Sequence, residues 1–244
     1  MSQNAIKRTL RTLDPREQPN YRLPEAAHYL RLSESTLRTW IFGQAYPTSV
    51  GRKRSRPIIN VADAVPPRLS FVNMVEAHVL SAIRYHHGVS LAAARRAVEY
   101  VTREFGSRHP LAEEQFQTDG VNLFVDRLGL LNVSAPGQYA MPDILRALLR
   151  RIDRDDRGLA VRLYPFSRRP TFQAPAFAET PRVVVIDPHV SFGRPVLSGT
   201  GVTTQSIAER FDAGESIDAL AADYARPHQE IEEALRCELV RDAA

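Results

Sequence analysis

Between residues 33 and 56 the chain carries hydroxyl and guanidinium side chains at spacings suited to nucleic-acid binding. The first group follows a short helical pattern, and such side chains hydrogen-bond to phosphates and to base edges. The second group is a basic run, with four cations among the five residues that follow Gly51. We therefore expect a DNA-contacting surface formed by Arg22, Ser35, Thr36, Arg38, Thr39, Arg52, Lys53, Arg54 and Arg56.

A helix-turn-helix must position the first group. Four apolar residues recur with the i, i+3, i+4, i+7 spacing of one helix face: Leu23, Ala26, Ala27 and Leu30. Ser33 then offers an N-cap hydroxyl to a second helix. In that helix Leu37, Trp40 and Ile41 should pack inward, which leaves the residues from Glu34 to Thr39 that lie between them for DNA.

The basic run is predicted to form the tip of a β-hairpin. The β-prone runs Tyr46–Val50 and Pro57–Val61 flank it, as in the wing of a winged helix-turn-helix. A solvated charged loop is the alternative reading of such a run. Its place directly after a helix-turn-helix favours the wing. Arg22 is compatible both with a phosphate contact and with a simply exposed position.

Tyr21–Trp40 resembles the amino-terminal helix-turn-helix of the MerR family. Ser35-Thr36-Leu37-Arg38-Thr39-Trp40 matches the Thr-Leu-Arg-x-aromatic signature of that family, and the resemblance implies DNA-backbone contacts for Thr36 and Arg38. Val75–Phe105 is similar to the paired helices that follow the MerR wing. No long dimerisation helix and no effector-binding cysteines follow, so a metal or drug sensor is not expected.

Composition is that of a soluble globular protein. The 244 residues, 43% apolar and 25% charged, suffice for one large domain or two to three small ones. No apolar run approaches the ~20 residues of a membrane span, and the polar amino terminus is unlike a secretory signal. The single Cys237 excludes a disulfide framework and a cysteine zinc site. We expect a cytoplasmic protein.

Charge is distributed unevenly along the chain. Residues 1–60 carry 11 Lys/Arg against 4 Asp/Glu, a balance of +7, while residues 171–244 carry 6 against 12, a balance of −6. The amino-terminal end is therefore suited to a polyanion, and its binding should depend on salt.

Periodicity predicts a mainly helical α+β protein. It has an amino-terminal winged helix-turn-helix, a small α/β bridging module, and a carboxy-terminal trihelical helix-turn-helix with a short β-hairpin. The expected divisions are a flexible arm (1–19), the winged helix-turn-helix with its following helices (20–106), the bridging module and linker (107–175), and the carboxy-terminal module (176–244). Helices are predicted at 71–87, 91–105, 142–154, 204–212, 216–224 and 227–240. Strands are predicted at 121–125, between Gly137 and Pro142, at 160–165 and at 182–186, with a hairpin-like segment at 195–202.

The carboxy-terminal module resembles a bacterial domain-of-unknown-function family. Its hallmarks are a strand, Asp187-Pro188, Gly193-Arg194-Pro195, the Gly199-Thr200 bend and three helices. The departure is Gly201, where the short-form family usually has an arginine. The whole chain is similar to long-form VapB-type antitoxins, which implies a PIN-like ribonuclease toxin, operator DNA and a second copy of the chain as partners.

The last predicted helix carries three carboxylates and one arginine within seven residues. These are Glu230, Glu232, Glu233 and Arg236. DNA phosphates would repel this surface, whereas a basic protein would attract it. We therefore expect these residues to bind the toxin or to form a dimer.

No residue constellation predicts catalysis, a metal or a cofactor. Asp153–Asp156 reads as a solvated helix end, adjacent His86 and His87 cannot chelate as an i, i+4 pair, and Ser198–Gly201 lacks the lysine of a phosphate loop. Cys237 and Trp40 are expected in the core. The predicted function is a non-enzymatic antitoxin that neutralises a PIN-like ribonuclease and represses its own operon. The alternative is a stand-alone MerR-like regulator whose middle module senses a ligand.

Overall fold

The computed structural model describes residues 14–61, 63–87, 90–113, 148–166 and 181–239, without the side chains of residues 64 and 82–87. In these ranges seven α-helices occur: α1 (Leu23–Tyr29), α2 (Glu34–Phe42), α3 (Phe71–His87), α4 (Leu91–Phe105), α5 (Thr204–Asp212), α6 (Ile217–Asp223) and α7 (His228–Leu239). None of these helices has the length and apolarity needed to cross a membrane.

Nine short strands form four antiparallel sheets within the described ranges. The strands are β1 (Tyr21–Arg22), β2 (Ala45–Thr48), β3 (Gly51–Arg54), β4 (Asp63–Ala64), β5 (Pro67–Leu69), β6 (Ile152–Arg154), β7 (Ala160–Leu163), β8 (Val184–Val185) and β9 (Val196–Leu197). The sheet orders are β1-β5-β4, β2-β3, β6-β7 and β8-β9. The protein is therefore helix-rich α+β, with sheets too small to stand without the helices.

α1 and α2 form where periodicity places them. All four apolar residues of the first stripe are buried, and so are the three of the second, with Leu37 and Trp40 at 0% exposure. The Ser33 hydroxyl accepts a hydrogen bond from the Thr36 amide at 3.2 Å, which satisfies an otherwise orphaned donor at the start of α2. β1 precedes α1 directly and pairs with β5.

α3 and α4 confirm the predicted helix pair. The Ser90 hydroxyl caps α4 by accepting from the Ala93 amide at 3.2 Å. The apolar residues at helical spacing in α3 are Val75, Val79, Ala82 and Ile83. Val75 and Val79 are both 0% exposed, while the side chains of Ala82 and Ile83 lie outside the description.

The predicted helix 142–154 ends earlier than expected. Leu148 and Leu149 are helical, but Ile152–Arg154 is a strand that pairs with Ala160–Leu163. Cross-strand pairing overrides the helical periodicity here, so Asp153–Asp156 belongs to a hairpin rather than to a helix end. In its turn the Asp155 carboxylate accepts from the amides of Arg157 and Leu159. The strands predicted at 121–125 and between Gly137 and Pro142 lie outside the described residues.

The three carboxy-terminal helices fall within a residue or two of their predicted bounds. Thr203 and Ser216 cap α5 and α6 with their hydroxyls. Ile231, Ala234 and Leu235 of α7 are buried as expected. The helical periodicity of α7 predicts that Leu239 also faces the core. It is instead 44% exposed, because it lies at the end of the helix, beyond the apolar cluster of the neighbouring helices.

Arg31 joins the amino-terminal helix-turn-helix to the far end of the chain. It lies in the turn between α1 and α2 with a left-handed backbone (φ 56°), and it is only 6% exposed. One guanidinium nitrogen donates to the carbonyls of Arg236 and Cys237 at 2.7 and 2.9 Å, and Nε donates to Phe166 at 3.4 Å. The last turn of α7 is thereby capped by a residue 205 positions earlier.

Tyr21 makes a second connection between the two ends of the chain. Its hydroxyl donates to the carbonyl of Gly193 at 2.8 Å, and its burial raises the pKa of the phenol. Gly193 has φ 76°, and a β-carbon there would lie 2.4 Å from the Tyr21 hydroxyl. Only glycine fits this close approach. One apolar core accordingly includes residues from Tyr21 to Cys237.

The β6–β7 hairpin and its flanking residues also contact both the amino-terminal and the carboxy-terminal parts of the chain. Leu163 and Ile186 exchange backbone hydrogen bonds at 3.0 and 2.8 Å. The buried Arg151 guanidinium lies 4.5 Å from the Phe166 ring centroid, and His78 of α3 stacks on the same ring. Burial lowers the pKa of His78 to about 3, so this ring packs as a neutral aromatic at physiological pH.

A buried ion pair holds the segment after α4 against α3. His109 Nδ1 lies 3.0 Å from a Glu76 carboxylate oxygen, to which Asn73 also donates at 3.1 Å. Burial by itself lowers the pKa of His109. The hydrogen bond to Glu76 and the negative charges of Glu76 and Glu17 outweigh this effect. The pKa of His109 is therefore raised above the ordinary value of 6.5.

Arg31→Ala should lower the free energy of unfolding by about 2–4 kcal/mol, because buried carbonyls lose their donor. Urea unfolding of the full chain measures this loss. Arg22→Ala, which removes an exposed arginine, is the matched control and should change stability by less than about 0.5 kcal/mol. Equal effects of the two substitutions would contradict the structural role of Arg31.

The His109–Glu76 pair predicts a pH dependence of stability. Since the folded pKa is raised, the stabilisation is complete below pH ~6.5 and is lost as pH rises through the folded pKa. The unfolding free energy should fall as the pH rises from about 6.5 through the raised pKa of His109, a range in which His78 is uncharged in the folded state. His109→Gln should flatten this fall in urea titrations, and an unchanged slope would show that another group is responsible.

Candidate nucleic-acid interface

The apolar stripe of α2 packs into the core, so the polar side chains of this helix lie on its outer face. The Trp40 carbonyl accepts from the amides of Ile58 and Ile59 at 2.7 and 3.2 Å, which ties the helix to the chain beyond the wing. Ser35 and Arg38 are exposed, and Thr36 and Thr39 are partly exposed. Trp40 is fully buried, so it packs in the core and does not stack on a base.

The polar side chains on the outer face of α2 make only weak intramolecular contacts. Arg38 donates to Glu34 at 2.8 Å, with side-chain exposures of 56% and 44%. An exposed i, i+4 pair contributes only about 0.3–0.5 kcal/mol, so a phosphate can replace the carboxylate at little cost. The Thr39 hydroxyl donates to the Ser35 carbonyl at 2.9 Å, and its oxygen keeps acceptor capacity.

The wing is a hairpin, but its register differs from the predicted one. β2 pairs with β3 so that Tyr46 faces Lys53 and Thr48 faces Gly51. The tip is therefore Ser49-Val50, and three cations, Arg52, Lys53 and Arg54, lie along the second strand rather than at the tip. Pro57–Val61 is not a strand in this structure. Ile58 and Ile59 are buried instead, because the core under Trp40 needs their apolar side chains.

The wing cations do not have equal roles. Side chains alternate along a strand, so Arg52 and Arg54 lie on one face and Lys53 on the other. Arg54 donates to the carbonyls of Phe42 and Gly43 at 3.3 and 3.4 Å, and so it also caps the end of α2. Arg52, Lys53 and Arg56 are exposed.

The base of the wing is fixed by a small network that the sequence did not reveal. Ser55 Oγ accepts from the Gln44 amide at 2.8 Å and from Arg95 of α4 at 3.0 Å. Arg95 Nε also donates to the Arg56 carbonyl at 2.9 Å. A β-carbon at Gly43 would lie 1.9 Å from the Ser55 carbonyl oxygen, so glycine permits this contact. Arg95 is thus a positioning residue 39 positions from the carbonyl it binds.

Arg22 lies at the start of α1, exposed. Its amide donates to the Glu25 carboxylate at 3.3 Å. The structure therefore leaves its guanidinium on the surface that carries the start of the helix-turn-helix.

The carboxylates predicted on α7 are paired with two arginines of the same module. Arg226 pairs with Glu230 at 2.6 Å, and Arg236 pairs with Glu232 and Glu233 at 2.7 and 2.6 Å. Glu233 is 8% exposed, so its charge serves the internal contacts of the module rather than an open surface. Glu230, Glu232 and Arg236 keep partial exposure.

Other candidate chemistry finds no support in the described residues. Cys237 is buried, and desolvation raises the pKa of its thiol to about 12, which makes it inert. No group of three potential metal ligands occurs within the described ranges. His86 and His87 are helical, but their side chains lie outside the description.

Comparisons with known proteins agree with this arrangement. Residues 19–98 match the family described as "Putative DNA-binding HTH domain", and residues 184–236 match "Protein of unknown function (DUF433)". The first match confirms the predicted helix-turn-helix. The second coincides with the carboxy-terminal strand, bend and three helices.

Similarity also extends over nearly the whole chain. The Mycobacterium tuberculosis protein named "Putative antitoxin VapB45" is 30% identical over 237 residues, 89% of this chain and 92% of that protein. "Uncharacterized protein Rv2308" of the same organism is 28% identical over 224 residues, 88% of each chain. The crystal structure of Rv2018, also from that organism, matches with a TM-score of 0.62 and 25% identity, covering 90% of this chain and 98% of the other.

Arg95→Gln should weaken binding to duplex DNA about fivefold, because the wing loses two hydrogen bonds that orient it. The dependence of affinity on salt should stay unchanged, since this guanidinium contacts protein and not phosphate. Fluorescence anisotropy at several salt concentrations measures both quantities. Arg103→Gln, an exposed arginine later in α4, is the control. A reduced salt slope for Arg95→Gln would instead make it a phosphate contact.

Proposed function

The chain belongs to the family of the protein named "Putative antitoxin VapB45", and from that membership we propose that it is the antitoxin of a type II toxin–antitoxin pair. It binds and neutralises a PIN-like ribonuclease encoded beside it. It also represses its own operon by binding operator DNA as a homodimer in the cytoplasm.

One observation supports the DNA-binding part most strongly: the exposed face of α2 and the wing cations are held side by side. Arg54 joins the two elements directly through the carbonyls of Phe42 and Gly43. In this proposal α2 enters the major groove, where Ser35 and Thr39 meet base edges or the backbone. Thr36 and Arg38 bind the backbone, as MerR-like proteins would use these positions.

The wing completes the proposed interface by following the adjacent phosphates. Arg52, Lys53 and Arg56 supply its exposed charge, and Arg22 lies at the start of the helix-turn-helix. A homodimer would place two such surfaces about a two-fold axis. The operator should therefore be palindromic, with half-sites about one helical turn apart or a multiple of it.

Charge supports assigning the toxin to the carboxy-terminal module. Residues 203–239 hold nine Asp/Glu and three Arg. Internal pairing leaves this excess negative charge in place, because each arginine neutralises only one carboxylate. A ribonuclease needs a basic cleft for RNA, and electrostatic complementarity favours its association with such a module. Glu230, Glu232 and Arg236 remain candidates for toxin or dimer contacts, while Glu233 supports the fold.

Co-expression tests the proposal. The chain should co-purify with the product of the adjacent reading frame and should rescue growth from it. A stable complex with rescue would establish the antitoxin function. No toxicity and no complex would reject it and would leave a stand-alone DNA-binding regulator, for which the middle module becomes the place to seek a ligand.

Arg38→Ala should weaken binding to all duplex sequences by a similar factor, as expected for a phosphate contact. The slope of log affinity against log salt should fall by about one. A gel-shift titration with operator and unrelated DNA checks both effects. Arg157→Ala, an exposed arginine in the β6–β7 turn, should leave them unchanged. Unaltered affinity of the Arg38 variant would remove this residue from the interface.

A further inference from the structure

An exposed aromatic ring stands out on the carboxy-terminal module. Phe192 is 90% exposed, the highest value among the large apolar side chains that the structure describes as exposed. It lies in the segment Asp187–Arg194 between β8 and β9, which we call the Phe192 loop. Isolated apolar residues are common on surfaces, so exposure alone decides nothing. The backbone of this loop adds the informative observation.

The Phe192 loop is firmly held although its aromatic ring is not. The Asp187 carboxylate accepts from Arg162 at 3.1 Å and from the His189 amide at 2.9 Å. The Ser191 hydroxyl donates to the Gly201 carbonyl at 3.1 Å, and the Gly193 carbonyl accepts from the Tyr21 hydroxyl. Both ends of the loop are therefore tied to separate parts of the molecule.

The backbone at the ring is strained. Ser191 and Phe192 have φ values of 47° and 57°, and Gly193 continues the left-handed run at 76°. A bulky residue such as phenylalanine is rare in this conformation, and such strain is characteristic of binding sites. Asparagine or glycine would satisfy the same turn without strain and without an exposed apolar ring. Stability alone therefore does not account for phenylalanine at this position.

Charge decides what kind of partner can cover the ring. The Ser191–Gly201 contact places the loop beside the start of α5, which exposes Glu209 and Asp212 farther along. The helical part of the same module, residues 203–239, carries a balance of −6. DNA phosphates would be repelled, and a second copy of the module would bring the same negative charge. The cations at the loop itself are Arg194, which is exposed, and Arg162, which is paired with Asp187. They do not reverse the balance of the whole module, so a basic protein is favoured over both.

We infer that the Phe192 loop is the anchor by which this chain docks on its toxin, with the Phe192 ring entering an apolar pocket of a basic partner protein. This inference rests on the proposed function, because the partner is the toxin assumed there. A rigid loop loses little conformational entropy on binding, and an aromatic anchor is the residue type that dominates such interfaces. The acidic helices of the same module would steer the approach.

The test uses the full chain and a catalytically inactivated product of the adjacent reading frame. Phe192→Asn keeps a side chain that tolerates the left-handed backbone and removes the aromatic ring. The affinity of this variant for the partner protein should fall at least about 30-fold, the loss typical of an interface hot spot. Its thermal unfolding temperature should stay equal or rise. Val50→Ser, which removes the 82%-exposed valine at the wing tip, is the matched control and should bind the partner normally.

The outcomes separate this inference from the proposed function. If the wild type captures no partner, the antitoxin function fails and the docking site fails with it. If the wild type binds and Phe192→Asn binds equally well, the docking site alone is wrong. Loss of operator binding or of dimerisation in Phe192→Asn, with partner binding intact, would also overturn it. Weaker partner binding with unchanged DNA affinity and dimerisation supports it.

Discussion

The buried guanidinium of Arg31 is the contact on which the arrangement of the whole molecule depends. It leaves the helix-turn-helix at its tight turn and donates to carbonyls at the end of α7 and at Phe166. Those helix-end carbonyls have no partner within α7 and carry its negative dipole end. One residue therefore satisfies a helix terminus, fixes the turn before α2, and sets the position of the carboxy-terminal module relative to α2.

Burying an arginine is costly, so the identity of the residue matters. The planar guanidinium can direct several N–H groups at different carbonyls from one position, which the compact ammonium of lysine cannot do. The left-handed backbone at Arg31 adds strain that these contacts must offset. Tyr21 makes a similar but smaller contribution, since its buried hydroxyl donates to the Gly193 carbonyl in the carboxy-terminal module.

Local signals in the sequence were sufficient for local structure. Apolar periodicity located α2, α4 and α6, and the Ser33 cap marked the start of α2, because these features act within one or two turns. The predicted register of the wing is wrong, because Ile58 and Ile59 are buried in the core under Trp40 and do not pair as a strand. That core forms only when distant parts of the chain come together. The prediction of a helix as far as residue 154 was wrong for a similar reason, because Ile152–Arg154 pairs with a strand that lies farther along the chain. Arg31 and Arg95 were missed because arginines are usually exposed and their partners lie far away in sequence.

Charge segregation has a consequence for how DNA can approach. The amino-terminal residues 1–60 carry +7 and residues 171–244 carry −6 on a structure whose core joins both ends. Fields from exposed charges reach about 10 Å at 0.1 M salt, so the acidic helices repel a duplex that arrives on their side. The rigid connection through Arg31 and Tyr21 keeps this repulsion fixed in direction. In the proposed function, the same acidic charge that favours a basic protein partner would therefore help to orient α2 and the wing toward DNA.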